Sequence, residues 1–166
     1  MNCLKMIKFL FLIFVIEFFL KAPSGLAKTN QSKKVHGIGL ILHDPTGLTY
    51  KKKINNNQAF DVASGWSLLS QRRIYFHATY LFTQQNYFKI DGEYLNAYWG
   101  IGGRFLQLDH PRKEDENFLG VRVPFGVYYE FHKVPLELFS EFALILDLTP
   151  STVLDVDFAI GARYFF

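Results

Sequence analysis

The chain has 166 residues, room for one domain, with 18 basic and 15 acidic side chains and a single cysteine. A formal charge of +3 makes no case for nucleic-acid binding, and one cysteine excludes a disulfide framework. Aromatic residues make up 17% of the chain, so a large apolar surface has to be placed somewhere.

Residues 1–27 read as a cleaved secretory signal. Lys5 and Lys8 precede an apolar run from Phe9 to Ile16, and Gly25-Leu26-Ala27 puts small residues before a cleavage point at Lys28. Glu17 and Lys21 keep the run far below the roughly 20 apolar residues of a membrane-spanning helix. Cys3 stands ahead of the run rather than at its end, so lipid attachment at a processed cysteine is not expected. Cleavage removes Lys5, Lys8, Lys21 and Glu17, which leaves 15 basic and 14 acidic residues of the original 18 and 15, and no cysteine. The segment 28–166 is then near neutrality and can cross an oxidising compartment without mispaired thiols.

Within 28–166 the apolar residues repeat with period two, which predicts β-strands. His36, Ile38, Leu40 and Leu42 alternate with Gly37, Gly39 and Ile41, and Asp44-Pro45-Thr46-Gly47 makes a turn. Leu48, Tyr50 and Ile54 oppose Thr49, Lys51 and Lys53, ending at Asn55-Asn56-Asn57. Phe60, Val62 and Trp66 then oppose Asp61, Ala63 and Gly65, a third segment as short as the second. The fourth sets Phe76, Ala78, Tyr80 and Phe82 against His77 and Thr79. A polar stretch from Thr83 to Glu93 reads as a long connection.

The fifth segment sets Leu95, Ala97, Trp99, Ile101 and Phe105 against Asn96, Tyr98, Gly100, Gly102 and Arg104. After a charged connection at 107–117, Leu119, Val121, Val123, Phe125, Val127, Tyr129 and Phe131 oppose Gly120, Arg122, Pro124, Gly126, Tyr128 and Glu130. Pro124 cannot donate to a ladder, so a bulge or a missing rung is expected there. Leu136, Leu138, Phe142, Leu144, Leu146 and Leu148 oppose Glu137, Glu141 and Asp147 in the seventh. The eighth alternates from Leu154 to Phe166, with Phe158, Ile160, Tyr164 and Phe166 on one face and Asp155, Asp157 and Arg163 on the other.

Eight such segments predict an all-β fold, an eight-stranded antiparallel up-and-down transmembrane β-barrel over 28–166. A closed barrel satisfies every backbone group without leaving an edge. The competing fold is a soluble sandwich, in which the apolar faces meet in a core. In the barrel the charges point inward, and an eight-stranded interior is just wide enough for side chains to fill it. Arg104, Arg122 and Arg163 are expected to bridge carboxylates among Glu130, Glu137, Glu141, Asp155 and Asp157, with Lys51, Lys53, Asp61, His77 and Asp147 on the same face. Gly100, Gly102, Gly120, Gly126 and Gly161 are expected to make room for these long side chains.

With both termini on the periplasmic side, Phe60, Tyr80, Phe82, Tyr129, Phe131, Tyr164 and Phe166 fall near the inner rim, and Trp66 and Phe105 near the outer one. Phe158, Ile160, Tyr164 and Phe166 are the expected assembly signal. The 107–117 connection, with Asp109, His110, Arg112, Lys113, Glu114, Asp115 and Glu116, is the most charged exposed segment and the candidate contact loop. The long connection at Thr83–Glu93 fits this topology poorly, because it falls on the periplasmic side.

Chemistry has little footing. None of His36, His43, His77, His110 and His132 has a serine within two positions, and Ser64 faces away from His77 on the neighbouring segment. Ser140 has no predicted partner either. His43-Asp44 and Asp109-His110 offer two ligands each, short of a metal site. No catalytic, metal-binding or cofactor-binding residue is assigned, and no cofactor is expected.

Several stretches together carry a family likeness. Gly37-Ile-Gly-Leu-Ile-Leu42, Asp44-Pro-Thr-Gly-Leu48, Ala59-Phe-Asp61, Tyr98-Trp-Gly-Ile-Gly-Gly-Arg104, Leu119-Gly-Val-Arg-Val-Pro124 and Leu146-Asp-Leu-Thr-Pro150 resemble the small outer-membrane barrels of the OmpA-like transmembrane type, including spirochaete-like small barrels. The likeness runs over the mature chain. It implies a monomeric barrel in the cell outer membrane, with surface or host interaction through loops, and supplies no catalytic residues. Expected partners are outer-membrane lipids, periplasmic chaperones, the barrel-insertion machinery and an external partner at the loops, without nucleic acid. The alternatives are a lipid-A-modifying outer-membrane enzyme and a narrow pore.

Overall fold

The structure, a computed structural model, describes residues 34–42, 46–67, 72–90, 93–109 and 116–166. The segment 1–27 expected to be a leader lies outside the described residues, as do His43, Asp44, Pro45 and the 110–115 part of the charged connection. Period-two alternation becomes eight strands: β1 His36–Leu42, β2 Gly47–Lys53, β3 Gln58–Ser67, β4 Arg72–Ile90, β5 Glu93–Asp109, β6 Glu116–Glu130, β7 Leu136–Thr149 and β8 Val153–Phe165. Each pairs antiparallel with its sequence neighbours, and β8 returns to β1 to close a barrel. The sandwich alternative is thereby excluded.

The closing seam pairs Gly37 with Phe165 and Leu42 with Ile160. Phe166 extends it by one residue: its N–H donates to the His36 carbonyl at 2.8 Å, and its ring stacks on the His36 ring with centroids 6.1 Å apart. One end of the barrel therefore carries both ends of the sheet, together with the β2–β3, β4–β5 and β6–β7 turns. We call it the terminal end. The opposite end carries the other turns.

Two predicted connections are shorter than expected. The polar stretch at Thr83–Glu93 is largely strand, because β4 runs 19 residues to Ile90 and pairs with a 17-residue β5. The polar run Gln84-Gln85-Asn86 hides this in the sequence, because it interrupts the apolar alternation where the register shifts between Gln84 and Phe88. Asn86 takes a positive φ of 56° there, which asparagine tolerates. Its N–H donates to the Asn96 side chain at 2.8 Å. At the opposite end, Gln107↔Asn117 and Leu108↔Glu116 still pair, so strand claims both shoulders of the 107–117 connection.

Pro124 has the effect its chemistry dictates. The β5–β6 ladder stops at Trp99↔Phe125 and resumes at Gly102↔Arg122 in unchanged register, so the proline costs rungs and makes no bulge. On its other side Pro124 still pairs with Ala143 of β7.

The two faces separate as the alternation requires. Outward residues are apolar and exposed, among them Leu40, Ile101, Leu144 and Phe158. Five of them, Phe82, Trp99, Phe125, Phe142 and Phe158, are paired across β4 to β8 in one continuous aromatic row. The Phe82 and Trp99 rings stack with centroids 4.6 Å apart. The expected inner-rim aromatics lie on the terminal half, where Tyr129 and Phe131 meet edge-to-face at 4.9 Å. Phe105 lies toward the opposite end beside Phe76 and Leu119; the side chain of Trp66 lies outside the described residues.

The glycines need a correction. Two of the five expected to make room for long charged chains face inward rings instead, Gly126 opposing Tyr98 and Gly161 opposing Phe139, and Gly37 likewise opposes Phe165. A β-carbon on any of the three would fall within 3 Å of the facing ring. Gly120 keeps its predicted use, because a β-carbon there would meet the Asp147 carboxylate at 2.5 Å.

Candidate functional site: the charged barrel interior

The inward face collects the polar residues of all but one strand into a continuous core. Lys51, Asp61, His77, Arg104, Arg122, Glu137, Glu141, Asp147 and Arg163 are all buried to 3% exposure or less. Charges so placed are stable only when opposite charges and hydrogen bonds surround them. Four clusters supply that neutralisation.

Arg163 of β8 is the hub. It donates to Glu137 of β7 at 2.9 Å and to Asp61 of β3, and two of its nitrogens reach the Thr49 hydroxyl at 3.1 and 2.9 Å. Its guanidinium lies 3.8 Å over the Phe139 ring, so one face is covered by the ring and every nitrogen on its edge has a partner. Glu137 also accepts from Lys51 at 2.8 Å, and the Lys51 ammonium sits 4.1 Å over the Tyr128 ring.

Toward the opposite end, Arg104 of β5 bridges Asp147 of β7 with Asp155 of β8, the latter at 2.8 Å, and stands 3.8 Å from Asp157. Arg122 of β6 donates to Glu141, which also accepts from Tyr98 at 2.8 Å. At the terminal mouth Lys53 meets Glu130 at 2.7 Å, a half-exposed pair of small energetic weight.

Histidine 77 links the Arg163 and Arg104 clusters. Its Nε2 is 3.0 Å from Asp61, its Nδ1 is 3.2 Å from the Tyr75 hydroxyl, and Tyr75 donates to Asp157 at 3.1 Å.

The expected network residues are thus brought together, with changed partners. Glu130 pairs with Lys53 instead of an arginine, and Asp155 is a mouth residue, its side chain 48% exposed. Thr49 and Tyr75 are members that the sequence reading missed. Each lies two positions from an ionisable inward residue, Lys51 and His77, and that parity was the available signal. Phe158, Ile160, Tyr164 and Phe166 do not enter the interior; all four are exposed on the outer wall. Of the contact loop, Asp109 closes β5, whereas His110, Arg112, Lys113 and Glu114 lie outside the described residues. Ser64 is exposed on the outer wall and pairs with Leu48 and Phe76, while His77 is buried inside, so the wall separates them.

The hub generates a direct expectation. Arg163→Met would leave Asp61 and Glu137 sharing too few cations, at a cost of about 3–5 kcal/mol. Glu130→Gln at the rim should cost under about 1 kcal/mol. Urea unfolding of the refolded barrel, followed by tryptophan fluorescence, checks the ordering, and equal losses would contradict the hub.

No family model matches the chain, and no curated protein does. Among solved structures, the N-terminal β-barrel domain of Pseudomonas aeruginosa OprF superposes with a TM-score of 0.63 at 10% sequence identity. The match covers 82% of this chain and 100% of that domain. The chain therefore shares its fold with that domain, a closed barrel.

Proposed function

We propose that this chain is a small integral barrel of the cell outer membrane, of the OmpA-like kind, with a non-enzymatic role. The observation that carries this reading is the inverted distribution of polarity. Charged side chains fill the inside and a belt of leucine, isoleucine, valine and phenylalanine covers the outside. In water such a belt far exceeds the apolar patches of a soluble monomer. Facing acyl chains, it is the ordinary surface of a membrane barrel. Lys34, which stands 5.7 Å over Tyr164, gives the terminal rim the basic-aromatic character of a membrane–water interface.

Residues 1–27 serve as the secretory signal in this reading, and periplasmic chaperones and the barrel-insertion machinery receive the mature chain. Phe158, Ile160, Tyr164 and Phe166 form the exposed stripe on the last strand that the insertion machinery reads. The barrel acts as an envelope element and presents the 107–117 segment to an external partner. The paired interior favours a filled cylinder over the narrow-pore alternative. Ser64 and His77 lie on opposite faces of the wall, so these two do not form the nucleophile–base pair that the lipid-A-modifying alternative would need.

Fractionation joined to gel migration tests the reading. The protein should sediment with the outer membrane, and unheated samples should migrate differently from boiled ones. Recovery in the aqueous fraction with heat-independent migration would contradict it. Deleting Phe166 should lower membrane levels several-fold while any protein that does insert migrates normally. Undiminished membrane levels would remove the proposed assembly role.

A further inference from the structure

Arg122 is the least neutralised of the three interior arginines. Arg104 meets three carboxylates and Arg163 two, but Arg122 meets only Glu141, through one terminal nitrogen. Its Nε and its Nη1 are buried and have no protein partner. Leaving two such donors unsatisfied is costly enough that native interiors rarely do it.

Beside them lies an internal void with room of about 10 Å³, lined by Arg122, Tyr75, His77, Ile41, Ala63 and Ala159. That is about the space one water occupies, and a buried water needs two to four polar partners. The wall supplies donors from the guanidinium and an acceptor in the Tyr75 hydroxyl oxygen. It supplies no spare charge, because Arg122 is balanced by Glu141, and His77 faces Asp61 and, through Tyr75, Asp157. A neutral ligand suits such a wall better than an anion.

We propose that this void is a single-water site, in which the water accepts from Arg122 and donates to Tyr75. The water then joins the Arg122–Glu141–Tyr98 cluster to the Tyr75–His77–Asp61 chain, and the two form one hydrogen-bonded unit. Arg122 is a positioning residue here.

The test is a crystal structure of the full chain refolded in detergent and crystallised with bromide as the halide. One ordered water within hydrogen-bond distance of Arg122 Nε or Nη1 is expected, with no anomalous bromide peak there. An empty void or a bromide peak would overturn the proposal. Two variants give an independent reading through the temperature at which the heat-modifiable band is lost. Ala159→Val expels the water without replacing it and should lower that temperature, whereas Ala159→Ser offers a hydroxyl in its place and should hold it. A dry void makes the opposite demand: Val fills it, and the temperature stays the same or rises.

Discussion

Everything in this structure depends on neutralising charge inside a closed cylinder. Eight strands leave an interior that side chains must fill, and the strands supply it with arginine, lysine, glutamate and aspartate. Arg163 is where the requirement is met most completely, with two carboxylates, a hydroxyl and an aromatic face around one guanidinium. Such a site tolerates little displacement, because a lost partner leaves an unpaired charge behind it. The partners come from β2, β3 and β7, and β8 pairs with neither β2 nor β3, so neutralisation also ties strands that never pair. It is a crosswise brace on a sheet otherwise held only edge to edge.

The outer wall follows from the same constraint. Polar residues committed to the interior leave the apolar ones on the outside, where exposed Leu154, Phe158 and Tyr164 line the last strand. Cross-strand pairing then sorts them into the row from Phe82 to Phe158. The interior aromatics obey a different rule, because each ring needs space that a neighbouring side chain would take. Glycine directly opposite Tyr98, Phe139 and Phe165 provides it.

Much of the architecture was legible in the sequence because barrel strands have clean parity. Strand number, the two faces and the inward position of Arg104, Arg122 and Arg163 all follow from counting by two. Partner choice did not follow. Arg163 and Asp61 are 102 residues apart and meet across the lumen, which depends on stagger between non-adjacent strands. The extended β4–β5 hairpin was hidden for a local reason: the irregularity at Gln84–Phe88 inserts two extra residues into β4, and Gln84-Gln85-Asn86 has the composition of a turn. Pro124 went the other way, since the missing N–H alone predicts the missing rung. The void beside Arg122 left no sequence signal, being a remainder of packing among five strands.

The central claim is that the outer belt faces acyl chains while charge stays inside. Trp99 reports on it directly, for it is 50% exposed in the middle of the aromatic row and one of only two tryptophans. The measurement is fluorescence quenching of Trp99 in a Trp66→Phe chain reconstituted in phospholipid vesicles. Phospholipids brominated along their acyl chains should quench it strongly, and iodide in the water should leave it nearly unchanged. Efficient quenching by iodide with little effect of the brominated lipid would place the belt in water and contradict the account.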